Sequence, residues 1–203
     1  MFEDDKSAEG RIFEAGPSRE FTTFSNDRLL DVMGALRSSN TKVAVILVDE
    51  ELDDSNVSND RALCHRLQAS VLLRSQGFGV FLVKFGAEGS QGNHVVFSGG
   101  LGPDLDAAIP GNTYVYEKGA METNGFDNVQ LAQDIADAQY TDVIIMGQST
   151  NACCAATARG AAERRLKVHA CTRVLRGGGV QSESPLCLYG TKWPSSTTVY
   201  HSL

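Results

Sequence analysis

The sequence predicts an α/β protein built as a three-layer α/β/α sandwich around a mostly parallel central sheet, and two observations predict it. Runs that are apolar throughout, such as VAVILV at 43–48 and VIIM at 143–146, read as strands buried on both faces, the mark of a central parallel strand. Between such runs lie segments whose apolar residues recur at helical spacing, and strands alternating with helices make the βαβ units of such a sheet.

Each element follows in chain order. Residues 1 to about 24 mix charge, Gly and Pro without periodicity and are expected to form an extended or partly ordered arm. In NDRLLDVMGALRSS, Leu29, Leu30, Met33 and Leu36 stand at helical spacing, with Asn26 or Asp27 as N-cap and Asn40 as terminator. The strand at 43–48 then runs directly into Asp49 and further acidic residues. From Asn59 to Gln76, Leu63, Leu67, Val71 and Leu72 form a helical stripe, and Gly77 ends it before the strand GVFLVKF. The segment from Gly86 to Gly111, rich in Gly, Ser and Asn, reads as a surface excursion with HVVF as a possible short strand. The strand NTYVYEK follows, then the helix DNVQLAQDIADAQ with Leu131, Ile135 and Ala138 on one face, then the strand DVIIMG. NACCAATARGAAERRL is dense in Ala with Arg late in the segment, which suits a helix and its C-terminal dipole. KVHACTRVL closes the regular part, and SSTTVYHSL is expected to add an edge strand.

At 203 residues and 42% hydrophobic, the chain fits one globular domain. Its 18 basic and 25 acidic residues give a net charge of -7, which repels phosphate backbones and leaves no basic stripe for nucleic acid or anionic lipid. No window approaches the roughly 20 apolar residues of a membrane span, and MFEDDKSAEG is too polar for a signal peptide. A cytoplasmic protein acting on a small molecule is expected, with no nucleic-acid or membrane partner. The five cysteines, Cys64, Cys153, Cys154, Cys171 and Cys187, are odd in number and show neither a CxxC pair nor the spacing of a zinc site. They read as reduced thiols.

Ligands of parallel sheets sit beyond the carboxyl ends of the strands. Asp49, Lys118 and Cys153 stand at or just past three such ends. Singly, each has an ordinary explanation: an acid at a strand end caps a turn, a lysine is solvated, and Cys153 and Cys154 fill an Ala-rich helix. Cys153 is the strongest lead, because a thiol in the first turn of a helix feels the N-terminal dipole, which favours thiolate. The Gly-rich pieces FSGGLG and RGGGV do not sit between a strand and a helix and read as loops. Trp193, Phe126 and Tyr116 read as core aromatics before pocket walls.

The joint pattern is far more specific than its members. The run DVIIMGQSTNACCAATARGAAERRLKVHA, with Gly147, Thr150 three on, Cys153 six on and Thr157 ten on, resembles the hallmark of the isochorismatase-like cysteine hydrolase superfamily. So do an Asp ending the first core strand, in VILVDEE, and a Lys before a helix-opening Phe, in VYEKGAMETNGFDNVQL. The resemblance covers roughly residues 42 to 172. It implies Rossmann-like topology, an N-terminal arm and first helix over 1–40, and a hydrolase domain over 41–203, a single domain overall. It further implies a triad in which Asp49 is the general base, Lys118 supports the thiolate and Cys153 is the nucleophile. A cis peptide at Gln148-Ser149 and an oxyanion hole from backbone N–H groups near Ser149 and at Cys153 come with it. The implied reaction cleaves a non-peptide C–N bond of a small amide, ureido or carbamoyl compound through a thioester, in a homo-oligomer and without a cofactor.

The chain departs from the superfamily in ways that bear on substrate. Many relatives follow the Asp with Met-Gln and an aromatic, whereas this chain reads DEELDD, and Cys154 replaces a branched apolar residue. After the last regular strand CTRVLRGGG stands where an Asp-Ala is common. Nicotinamidases of the superfamily add an acid and histidines that bind a metal, but no His lies between residues 49 and 64 and His65 reads as surface or packing, so no metal is expected. Two alternatives stand beside amide hydrolysis: a vinyl-ether hydrolase of isochorismatase type, whose members generally lack the cysteine, and a silent oligomeric scaffold or redox-sensitive module using Cys153 and Cys154. A low-pKa thiol in an alkylation assay is the expected sign of the triad.

Overall fold

The computed structural model describes residues 23–50, 59–85, 95–96, 101–119, 122–177 and 193–203. The arm expected over most of residues 1–24 lies outside them, as do Cys187, RGGGV beyond Gly177, FSGG and most of the Gly86 to Gly111 excursion. The strands are β1 (Thr23–Arg28), β2 (Val43–Val48), β3 (Gly79–Phe85), β4 (Val95–Val96), β5 (Tyr114–Lys118), β6 (Asp142–Gln148), β7 (Lys167–Arg176) and β8 (Thr198–Ser202). The helices are α1 (Leu29–Ser38), α2 (Asn59–Leu73), α3 (Pro103–Ala108), α4 (Val129–Asp137) and α5 (Ala155–Glu163).

The strands form one sheet in the order β1-β8-β7-β6-β2-β3-β5-β4. Seven run parallel, and β4 pairs antiparallel with β5 at the edge. The expected three-layer architecture is present. β2 shows why its sequence reads as it does: all six side chains are buried, and alternate ones enter two separate cores. Ala44, Ile46 and Val48 meet Leu131 and Ile135 of α4 and Ala155, Ala158 and Ala161 of α5. Val43, Val45 and Leu47 meet Leu29 and Met33 of α1, Val71 and Leu72 of α2, and Leu105 of α3. A strand covered on both faces has no position for a polar side chain until it leaves the sheet, which it does at Asp49.

Several local expectations are corrected. Residues 23–28 are a strand paired with β8, so Asn26 and Asp27 do not cap α1; Arg28 holds that position without a side-chain cap bond. Asn40 does close the helix, in the left-handed region at φ 56. On α2 Leu63 is exposed, and the buried face runs through Cys64, His65, Gln68, Val71 and Leu72, polar residues included. The tail strand β8 is not an edge: it pairs with β7 on one side and β1 on the other. Helix α3 was not expected; Pro103 opens it after Gly102, and Asp106 accepts the backbone N–H groups of Leu101 and Gly102. Phe126, Tyr116 and Trp193 are all buried in the core beneath α4 and α5. Among the described residues no helix is long and apolar enough to cross a membrane.

Candidate active site

Three parallel strands deliver the candidate residues to one rim. β2 ends at Asp49, held in the left-handed region at φ 51, where its N–H donates to the Val83 carbonyl of β3 at 2.8 Å. β5 ends at Lys118, which is fully buried. β6 passes so close to β2 at Gly147 (φ 126) that a Cβ there would stand 2.1 Å from the Val48 carbonyl oxygen. Beyond it the Gln148-Ser149 peptide is cis. The chain then enters a π-helical turn, Thr150–Cys154, that leads into α5 and carries Cys153. The N–H groups of Ala152 and Cys154 both donate to the Ser149 carbonyl, each at 3.1 Å. Such π turns are uncommon and gather at functional positions.

Lys118 joins the other two side chains. Its Nζ donates to Asp49 Oδ2 at 2.9 Å, to Cys153 Sγ at 3.5 Å and to the Glu122 carbonyl at 3.2 Å. Cys153 is only 7% exposed and Asp49 5%. Gln148 donates from Nε2 to the Asp49 carbonyl at 2.6 Å, tying the cis turn to the loop after β2. Thr150 donates its hydroxyl to the Arg176 carbonyl of β7 at 3.0 Å, and Trp193 Nε1 donates to the Thr150 carbonyl at 3.0 Å.

Burial is the largest influence on both the acid and the thiol. Burial pushes the Asp49 carboxyl above its ordinary range, against the hydrogen bonds of Cys153 and Lys118 that pull it down. Burial also raises the Cys153 thiol, and the hydrogen bond and negative charge of Asp49 add to it, outweighing Lys118. Both causes favour the neutral thiol at Cys153, against the thiolate that a helix dipole alone would favour. Desolvation and the adjacent carboxyl oppose the partial positive charge of the helix start. Cys154 is completely buried, and burial raises its thiol well above the ordinary value. Cys64, Cys153, Cys154 and Cys171 are all free thiols.

The residues not anticipated lie behind Asp49. Glu50, fully buried, accepts from His65 Nε2 at 3.0 Å, from Gln68 Nε2 at 2.8 Å and from Arg176 Nε and Nη2 at 3.0 and 2.8 Å. His65, read as surface or packing, is a buried partner of this carboxylate. The signal was the acid immediately after a wholly apolar strand, which needs partners if the chain stays inside the protein. Among the described residues no group of three or more His, Cys, Asp or Glu is placed to hold a metal ion.

Comparison with known proteins agrees with this architecture. No family model and no curated protein sequence matches the chain. Solved structures do match. An isochorismatase-like hydrolase from Alkaliphilus metalliredigens aligns at TM-score 0.54 and 16% identity over 68% of this chain and 82% of its own. The chain has the isochorismatase-like hydrolase fold. The same fold relates it to a nicotinamidase/pyrazinamidase from Bacillus subtilis, at TM-score 0.62 and 15% identity over 79% of this chain and 100% of that one. N-carbamoylsarcosine amidase from Thermoplasma acidophilum aligns at TM-score 0.59 and 18% identity, over 79% and 96%.

Proposed function

We propose that this protein is a cysteine hydrolase that cleaves a non-peptide C–N bond of a small amide, ureido or carbamoyl compound. The observation that carries the reading is Lys118, a fully buried cation that bridges Asp49 Oδ2 and Cys153 Sγ at the carboxyl ends of the strands. A buried lysine, a carboxyl and a thiol in contact match nucleophile, base and electrostatic support, and structural packing requires none of the three. Neighbours of the same fold include an amidase of N-carbamoylsarcosine and a nicotinamidase/pyrazinamidase, which supports amide-type substrates.

The chemistry follows from the charge arrangement. As Cys153 Sγ bonds to the substrate carbonyl carbon, its proton passes to Asp49, whose raised pKa makes it a stronger base than a free carboxylate. Lys118 stabilises the negative charge while it moves. Backbone N–H groups near Ser149 and at Cys153 receive the oxyanion. The tetrahedral adduct collapses, the C–N bond breaks, and Asp49 returns its proton to the departing nitrogen, leaving a thioester. Water then attacks the thioester with Asp49 as base, releasing the acid and the Cys153 thiol. A vinyl-ether hydrolase of isochorismatase type, whose members generally lack the cysteine, has no use for Cys153 beside Asp49 and Lys118, and a silent scaffold has no use for the assembled three. The test is an ammonia-release screen over small amides, ureido and carbamoyl compounds. Turnover that survives Cys153→Ala overturns the reading.

The protein is further proposed to work as a homo-oligomer in the cytoplasm. Light scattering at micromolar concentration should return more than one chain per particle; a monomer removes that part without touching the site.

A further inference from the structure

Glu50 takes no part in the chemistry above, yet it is fully buried and three side chains bond its carboxylate. Its two carboxylate oxygens accept from Arg176 in β7 and from His65 and Gln68 in α2, and Gln68 Nε2 also donates to the Val174 carbonyl of β7 at 3.0 Å. Arg176 grips it through two nitrogens, a geometry that fixes orientation as well as distance. Glu50 and Arg176 belong to segments that border the site. Glu50 follows Asp49 directly. Arg176 stands opposite Gln148 in the β6–β7 register, and its carbonyl accepts the hydroxyl of Thr150, which opens the turn carrying Cys153.

We infer that Glu50 is a positioning residue: with Arg176 it forms a buried clamp that ties the loop of the base to the turn of the nucleophile. The inference rests on the catalytic reading of Asp49, Lys118 and Cys153. Besides the clamp, these two loops at the ends of separate strands are joined by the Gln148 bond to the Asp49 carbonyl and by Lys118, which spans the two reacting side chains themselves. A placement error of about 1 Å between base and nucleophile costs roughly a hundredfold in rate, which gives such a device its use. Asp49 is faced by Lys118 from β5, Cys153 from the π turn and Glu50 from its own segment. Glu50 is faced by His65 and Cys64 from α2, by Arg176 from β7 and by Cys154 from the π turn.

The probe is iodoacetamide, with alkylation of Cys153 followed by peptide mass spectrometry across pH. Asp49 raises the thiol, so Asp49→Asn should move the alkylation midpoint to lower pH. Glu50→Gln and Arg176→Gln should each move it the same way by about half a pH unit or more, as the carboxyl loses its hold on the thiol. The double variant should go no further than either single one, since the pair acts as a unit. Asp142→Asn weakens a buried hydrogen bond to His169, away from the site, and should lower the melting temperature without moving the midpoint. Should Glu50→Gln fail to fold, Arg176→Lys, which keeps the charge but not the two-nitrogen grip, carries the same expectation. If Asp49→Asn shifts the midpoint while the Glu50 and Arg176 variants match wild type, the clamp is overturned and the hydrolase reading stands. If Asp49→Asn shifts nothing, both fall together.

Discussion

Neighbouring residues on a helical turn point in different directions, and of Cys153 and Cys154 it is Cys153 that meets Lys118. The geometry selects Cys153, since Cys154 is sealed in the core. Cys153→Ala is therefore expected to lower hydrolysis by about 10⁴-fold or more while the fold persists. Cys154→Ala should keep turnover and cost about 1 kcal/mol for the small void it leaves. The reverse pattern, read by ammonia release and thermal melting, would place the nucleophile one residue on. Lys118 differs from a surface lysine in both respects that matter. It lowers the Cys153 thiol, so Lys118→Met should move the alkylation midpoint to higher pH and slow the chemical step about a hundredfold or more. The variant also leaves Asp49 without its cation, and burial already raises that carboxyl. A carboxyl whose folded pKa lies above its unfolded one contributes stability fully below the unfolded value and loses it as pH rises through the folded value. Lys118→Met should accordingly be less stable at neutral pH than in mild acid, relative to wild type, in urea titrations at both.

The elements that were legible in the sequence are those whose environment is uniform along their length. β2 and β6 are buried on both faces and read as apolar runs, and α4 shows its stripe through Leu131 and Ile135. The order of Asp49, Lys118 and Cys153 on three strand ends was legible for the same reason, because a parallel sheet brings such ends to one rim. What stayed hidden depends on partners distant in sequence. Nothing in TFSNDR announces a strand: most of its residues are exposed, and it exists because β8 lies beside it. The interior place of β8 is a pairing fact of the same kind, and α3, at six residues, is too short for a period to register. Glu50 looked like one acid among several because Arg176 stands 126 positions away. Gly147 marks where β6 and β2 must nearly touch before the chain turns to Cys153. Gly147→Ala would place a methyl group against the Val48 carbonyl in a backbone region that L-residues avoid. The conformational strain alone is about 1–3 kcal/mol, and the clash adds to it. A melting temperature unchanged in Gly147→Ala would show that this approach is not tight.

Across the whole molecule, acid titrates buried carboxylates of opposite character, and the sum decides where the fold is weakest. Asp49 sits above its ordinary 3.8, so it favours folding at low pH. Glu50 and Asp142 do the reverse. Burial opposes their ionisation, yet the hydrogen bonds of His65 and Arg176 hold Glu50 below its ordinary 4.5, and those of His169 and Thr141 hold Asp142 below 3.8. A carboxyl depressed in this way contributes stability above its unfolded pKa and loses it as pH falls through the folded value. Asp142 is one link in a buried chain, since His169 bonds it through Nε2 and Tyr200 through Nδ1, joining β6, β7 and β8. Glu50 joins β7 to α2 and the loop after β2. Protonating the two would thus loosen the β7 side of the sheet at both ends. Wild-type protein should keep its urea midpoint from neutrality down to about pH 5 and lose it progressively below 4.5, the ordinary value for Glu50. Glu50→Gln is expected to cost about 3 kcal/mol at pH 7, because Arg176 is left without its counter-charge, and much less at pH 3, where wild type has lost the same interaction. The difference between the two urea curves is the measurement. A Glu50→Gln penalty that is equal at pH 7 and pH 3 would mean that the ionised carboxylate contributes nothing to holding the strands together.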